Sequence, residues 1–246
     1  MTPTENFISH LLELRDRLLR MLIAFVVVLL ALLPFSNKIY SLLAAPLLAQ
    51  LPSGGQMIAT AVTTPFFVPM KVAMLAAFVI SLPHTMYQAW SFVAPGLYAH
   101  EKKFMVPMIV ASCALFLMGM AFAYFLVFPV IFGFIVGAAP VGVAVMTDIA
   151  NYLDFVIALF FAFGLAFQVP IAVIFLVHFN WLNVAQLKAM RAYVVVGAFI
   201  VGAIFTPPDV VSQFMLALPI WLLYELGILL ASVIGQSKNS QIETST

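Results

Sequence analysis

The chain has 246 residues, of which 65% are hydrophobic and only 8% are charged. Soluble proteins carry about 25% charged residues, so this composition excludes a soluble domain and indicates an integral membrane protein. The net charge of +1 gives no indication of nucleic-acid binding, and the single cysteine, Cys113, excludes an internal disulfide or a cysteine-based metal site within one chain.

Six apolar segments follow one another along the chain and predict an all-α membrane protein with six transmembrane helices. A spanning helix needs about 20 apolar residues. The last two segments offer only about 13 to 15, or roughly 20 Å, so we expect the last two helices to be short. The first segment is long and follows a polar start, which predicts a retained anchor rather than a cleaved signal. The predicted spans are about 18–35, 70–92, 104–130, 151–179, 193–205 and 210–224.

The basic residues at the ends of these segments predict the orientation of the chain. Most of them lie on one side of the membrane, and the positive-inside rule places that side in the cytoplasm. Both termini are then cytoplasmic, which agrees with an even number of spans. We expect one domain over residues 1–235 and a disordered polar tail over residues 236–246. The cytoplasmic residues are Arg15, Arg17, Arg20, Lys102, Lys103, Lys188, Arg191 and Lys238, against Lys38 and Lys71 on the other side.

Two carboxylates, Glu13 and Glu101, lie among the basic residues of the cytoplasmic edge. Carboxylates in this position are candidates for binding a cationic partner, and guanidinium groups suit them because they donate planar bidentate hydrogen bonds. Local pairing is the alternative. Glu13 is spaced i,i+4 from Arg17, as Asp16 is from Arg20, and Glu101 would be a solvated carboxylate in a short turn.

Polar residues inside the predicted spans need hydrogen-bond partners. Gln168 lies in mid-span and either ties two helices together or serves function. Pro170 is expected to kink the same helix. His84 is typical of an interior, hydrogen-bonded histidine. Asp148 and Asp154 lie near the outer end of the fourth span, where capping is more typical than proton transfer.

The sequence lacks the common motifs of catalysis. It has no His-Glu-x-x-His, no Gly-x-Ser-x-Gly, no Gly-rich phosphate loop and no His/Cys cluster with metal spacing. We therefore expect neither an enzyme nor a bound cofactor. A small-solute transporter is an alternative that would predict repeated halves and charged residues at the membrane midplane. An intramembrane hydrolase would need paired acids or a nucleophile beside a base.

Several strings, in the same order along the chain, resemble the TatC family, the core subunit of the twin-arginine protein translocase. The resemblance covers about residues 8 to 230. The strings are HLLELR at 10–15, APL at 45–47, PFF at 65–67, FVAPGLY at 92–98, HEKK at 100–103, GMAFAYF at 119–125 and TPPD at 206–209.

The resemblance implies a receptor that binds twin-arginine signal peptides on folded cargo proteins. It also implies a glove-shaped bundle with a concave face, located in the bacterial cytoplasmic (inner) membrane and working with the proton-motive force. The family's recognition carboxylates correspond to Glu13 and Glu101. Further residues implied at the signal-peptide site are Arg15, Phe92, Leu97 and Tyr98, and Pro46 and Asp209 match functional positions of the outer loops.

The chain departs from the family pattern at two positions. Gln168 occupies the place of an acidic residue on the concave face, so the resemblance carries no titrating acid to this position. Ala99 stands where the family commonly has a basic residue. The resemblance also implies self-association in a receptor complex and docking of the subunits TatA and TatB at Thr206 and Gln213. Intramolecular capping of the turn is the alternative for these two side chains.

Overall fold

The computed structural model describes residues 3–49, 57–93, 105–137, 146–179, 181–206 and 209–243, and almost all of them are helical. Within these ranges the only extended pairing is an isolated parallel β-bridge between Ile58 and Asp148. The helices are α1 (Pro3–Leu32), α2 (Ser36–Leu48), α3 (Thr64–Val93), α4 (Met105–Phe122), α5 (Phe128–Gly137), α6 (Ile149–Ala166), α7 (Val169–His178), α8 (Val184–Ala189), α9 (Arg191–Phe205) and α10 (Val210–Glu243).

The helical segments confirm the predicted class of multi-pass membrane protein. Among the described residues, 5 segments are long and apolar enough to cross a membrane, and Arg191–Phe205 is a shorter apolar helix. They follow the predicted order. The long segments are Ser9–Ala45, Thr64–Phe92, Val106–Gly137, Ile149–His178 and Val210–Val233.

The last helix is longer than the sequence predicted. α10 has 34 residues, whereas α9 has 15 and is short as expected. The predicted sixth span ends at residue 224. The structure continues the helix past Glu225, whose carboxylate accepts a hydrogen bond from Arg191 at 2.6 Å. The backbone is also helical over residues 236–243, within the segment predicted to be a disordered tail, because neither proline nor glycine follows Gly235 to end the helix.

Proline and glycine interrupt the long spans where the sequence indicated. α6 ends at Ala166 and α7 begins at Val169, because Pro170 has no N–H to donate to the carbonyl of residue 166. A π-helical segment, Ala123–Val127, joins α4 to α5 just before Pro129. α5 ends at Gly137.

The chain divides into two compact units. Unit one comprises residues 1–48, 55–114 and 146–153, and unit two comprises 49–54, 115–145 and 154–246. In unit one, α1 and α2 both pack against α3. In unit two, α10 packs against α7, α8 and α9. The core of that second packing contains Val173, Leu187, Tyr224, Ile228 and Ala231.

Asp148 ties two segments of unit one together. Its Oδ2 accepts hydrogen bonds from the backbone N–H and the hydroxyl of Thr60 at 3.0 and 2.6 Å. Its Oδ1 accepts from the N–H groups of Ala150 and Asn151 at the start of α6, so it caps this helix as predicted. The hydrogen bond from the Thr60 side chain, followed by those from the backbone, lowers the pKa of Asp148 from 3.8 to about 2.

Two glycines allow α4 and α6 to approach closely within unit two. A Cβ atom on Gly119 would lie 2.5 Å from the carbonyl oxygen of Phe163, and one on Gly164 would lie 2.5 Å from the ring of Phe116. Phe116 and Phe163 are themselves fully buried. The contact between α4 and α6 therefore requires residues without a Cβ atom at both positions.

Candidate functional site

Glu13 lies on α1 and is held by Arg17, one helical turn further along. The Nε of Arg17 donates to Glu13 Oε1 at 3.0 Å, and its Nη2 donates to the same oxygen at 2.5 Å. The predicted i,i+4 pair is therefore formed. The third donor of this arginine, Nη1, reaches across to α3 and contacts Gln88 Oε1 at 3.3 Å.

A stacked pair of aromatic rings lies on the other side of Glu13. The ring of His10 stacks on Phe92 of α3, with centroids 4.3 Å apart and planes at 19°. The Nδ1 of His10 lies 3.9 Å from Glu13 Oε2. We call His10, Glu13, Arg17, Gln88 and Phe92 the Glu13 cluster. It brings Glu13 and Phe92, which the sequence analysis assigned to one site, to the same end of the α1–α3 pair.

The members of the Glu13 cluster differ in their exposure. Gln88 is 4% exposed, the Arg17 side chain 17% and the Glu13 side chain 32%. Within the described part of the chain, Glu13 Oε2 accepts no hydrogen bond. The carboxylate can therefore bind a cationic ligand through Oε2, while Arg17 is anchored behind it by α3.

Arg15 lies on the same helix but has a different partner. Its guanidinium donates to Asp16 at 3.0 and 2.8 Å, so Asp16 pairs with its neighbour rather than with Arg20. Both side chains are more than half exposed, and such pairs contribute little to stability. Arg15 is therefore accessible, but it lies two residues from Glu13 along α1 and so on a different face of the helix.

The three other predicted signal-peptide residues, Leu97, Tyr98 and Glu101, lie outside the described residues. A short distance between Glu13 and Glu101 therefore stays a prediction.

The two residues assigned to outer loops lie in or beside helices. The backbone of Pro46 belongs to α2, so this position is helical rather than looped. Asp209 caps α10, because its Oδ1 accepts from the N–H of Ser212 at 2.7 Å and its carbonyl accepts from the N–H of Gln213 at 3.2 Å.

Thr206 caps the end of α9, and Gln213 links α10 to α9. The Thr206 hydroxyl donates to the carbonyl of Gly202 at 2.8 Å and is buried. The Gln213 amide donates to the carbonyl of Phe199 at 3.3 Å, and its Cγ would be 3.1 Å from a Cβ placed on Gly202. The intramolecular alternative is formed, and docking of a partner at these residues stays a prediction.

Gln168 lies at the break between α6 and α7 rather than inside a continuous helix. Its N–H donates to the carbonyl of Leu165 at 2.9 Å, and its own carbonyl accepts from Ala172 at 3.0 Å. The side chain is half-buried. Its predicted role on a concave face is not tested by these contacts.

Two residues of the Glu13 cluster, His10 and Gln88, were not assigned to this site from the sequence. His84 is exposed rather than interior, and its Nε2 lies 3.4 Å from the amide nitrogen of Gln88. A periodic signal was present, since His10, Glu13 and Arg17 share one face of α1 and His84, Gln88 and Phe92 share one face of α3. In the described ranges no group of His, Cys, Asp and Glu side chains could hold a metal ion.

Comparison with protein families identifies one match that spans most of the chain. Residues 9–219 match the family described as TatC, Sec-independent protein translocase protein.

Individual relatives extend this match to nearly the whole chain. The Sec-independent protein translocase protein TatC of Escherichia coli (strain K12) is 49% identical over 239 residues, which cover 97% of this chain and 93% of that protein. The protein of the same name from Azotobacter chroococcum mcd 1 is 51% identical and covers 90% of this chain and 87% of its own length.

A solved structure shares the fold. It is described as the crystal structure of the twin arginine translocase receptor TatC, and it superposes with a TM-score of 0.80 at 36% identity. The superposition covers 91% of this chain and 98% of the solved one.

Proposed function

This chain belongs to the TatC family of Sec-independent protein translocase proteins, and we propose that it is the membrane receptor for twin-arginine signal peptides of folded cargo proteins. The solved relative is described as a twin-arginine translocase receptor. In this chain the observation that carries the proposal is the Glu13 carboxylate at the end of the α1–α3 pair, which is partly exposed and whose Oε2 accepts no hydrogen bond from the described residues.

A guanidinium group is the ligand that this carboxylate fits best. Oε2 offers acceptor sites that a planar donor fork can use, and charge-assisted hydrogen bonds of this kind are the strong ones. Glu101 supplies the second carboxylate of the proposal, so that each arginine of the pair has one acidic partner. Arg15, Phe92, Leu97 and Tyr98 frame the site, with Phe92 already fixed by its stack on His10.

The rest of the proposal concerns transport. The signal peptide's apolar segment lies along a concave face near Gln168, and the proton-motive force drives passage of the cargo. The subunits TatA and TatB dock beside the α9–α10 hairpin near Thr206 and Gln213, and the receptor self-associates. Pro46 and Asp209 act on the opposite side of the membrane. An exposed apolar face of α9 supports the docking surface, and it contains Tyr193, Val196, Ile200 and Ile204.

The distribution of charge supports the proposed orientation, and the family supports the proposed membrane. This multi-pass protein lies in the bacterial cytoplasmic (inner) membrane with both termini in the cytoplasm, which places Glu13 on the side where cargo is made. Its relatives are translocase components, and we infer a transport role without enzymatic activity and without a cofactor.

Removing both carboxylates tests the proposal. Glu13→Ala with Glu101→Ala should abolish crosslinking of a photoreactive twin-arginine peptide to the protein in inner-membrane vesicles. Glu225→Ala is the matched control, because it removes an ion-paired carboxylate of α10, in unit two, whose partner is Arg191. Unchanged crosslinking to the double variant would refute the assignment of the site.

A further inference from the structure

Arg17 is held from two sides, by Glu13 on its own helix and by Gln88 on α3. Two of its nitrogens donate to Glu13 Oε1, and the third contacts Gln88 Oε1 at 3.3 Å. Gln88 is buried on α3, and its amide nitrogen in turn lies 3.4 Å from His84 Nε2. The arginine therefore has little freedom to leave Glu13, since moving it would leave the buried amide oxygen of Gln88 without this donor.

The two carboxylate oxygens of Glu13 have different surroundings. Oε1 receives two hydrogen bonds from Arg17, which use both of its lone pairs. Oε2 is turned toward His10, at 3.9 Å from Nδ1. The charge of the carboxylate is already balanced by Arg17, so a cation arriving at Oε2 meets a neutral pair rather than a bare negative charge.

A neutral pair discriminates between the two kinds of basic side chain. A lysine ammonium is a compact point charge and is attracted to a carboxylate mainly through charge. Pairing of the carboxylate with Arg17 therefore weakens the binding of an ammonium more than that of a guanidinium. A guanidinium adds directional donors in a plane, and Arg17 demonstrates the geometry by placing two N–H groups on one carboxylate oxygen. An arriving guanidinium can repeat this contact on Oε2.

We propose that Arg17, anchored by Gln88, is a positioning residue that makes Glu13 selective for guanidinium over ammonium ligands. It holds the carboxylate in one orientation and cancels its charge, so that recognition depends on hydrogen-bond geometry instead of charge alone. The proposal rests on the proposed function, because it concerns the same carboxylate. It differs from that function in assigning selectivity to a residue that does not touch the peptide.

The test is the ratio of affinities for two peptides, one with Arg-Arg and one with Lys-Lys, measured on the full-length protein in inner-membrane vesicles. Arg17→Gln should lower this ratio roughly tenfold, the effect of one charge-assisted hydrogen bond, because Lys-Lys binds more tightly to the unpaired carboxylate and Arg-Arg loses the fixed orientation. Arg17→Lys should also lower it, since an ammonium cannot reproduce the donor fork. Arg20→Gln removes the same charge from the same helix and should keep the wild-type ratio.

A second variant covers the case in which Arg17→Gln does not fold. Gln88→Ala keeps the charge of Arg17 but removes its anchor, and it should lower the ratio in the same direction. A wild-type ratio in whichever of these variants folds would overturn the proposal. Glu13→Ala distinguishes failure of the proposed function from failure of the role of Arg17. If Glu13→Ala binds the Arg-Arg peptide like the wild type, the proposed function is wrong. If Glu13→Ala loses binding but Arg17→Gln keeps the wild-type ratio, only the role of Arg17 is refuted.

Discussion

Replacing Gly119 with alanine should destabilise the contact between α4 and α6. The added Cβ would lie 2.5 Å from the carbonyl oxygen of Phe163, whereas ordinary contact begins at 3.4 Å, and it would also lie 3.0 Å from Cγ of Phe167. The atom in the way belongs to the backbone, so the helices must separate by most of an ångström. We expect a loss of about 2 to 3 kcal/mol in the free energy of unfolding, the upper part of the range for overpacked cores.

The assay is reversible unfolding of the purified protein in mixed micelles, followed by the loss of helical signal as the denaturing detergent is increased. Gly197→Ala is the control, because a Cβ on Gly197 of α9 meets nothing within 4 Å and alanine is the better helix former. It should unfold no earlier than the wild type. Equal unfolding of Gly119→Ala and the wild type would refute the reasoning about this close approach.

Two further predictions use the same unfolding assay. The folded protein holds the pKa of Asp148 at about 2, against an ordinary 3.8, so the carboxylate stabilises the fold above pH 3.8 and this contribution is lost as the pH falls to about 2. Asp148→Asn should remove that part of the pH dependence of stability. A pH profile identical to that of the wild type would contradict this prediction. Tyr224→Phe removes the buried hydrogen bond from the tyrosine hydroxyl to the carbonyl of Leu187 at 2.8 Å, so it should cost about 1 to 3 kcal/mol, and wild-type stability would show that this carbonyl finds another donor.

The sequence predicted the helical order well because its signals are local. Long apolar runs identified the spans, and Pro170 marked an interruption, since a proline acts on its own turn of backbone. The end of the last span was missed at Glu225. A carboxylate such as Glu225 usually indicates the edge of a membrane segment. Here it is paired with Arg191 of another helix, and no local sequence pattern reveals that pairing.

The candidate site was predictable to the same extent and for the same reason. The pairing of Glu13 with Arg17 follows from i,i+4 spacing along α1. The contacts from Arg17 to Gln88 and from His10 to Phe92 depend on how α1 and α3 are aligned against each other. That alignment is a tertiary property, so no local pattern in the sequence reveals it.

The proposed site at the end of the α1–α3 pair binds a pair of arginines. The most direct test places a photoreactive phenylalanine analogue at Phe92, which keeps an aromatic ring beside His10, and presents signal peptides with Arg-Arg or Lys-Lys to inner-membrane vesicles. The account predicts a crosslink that requires Arg-Arg and disappears with Glu13→Ala. Equal crosslinks to both peptides, or none to either, would contradict it.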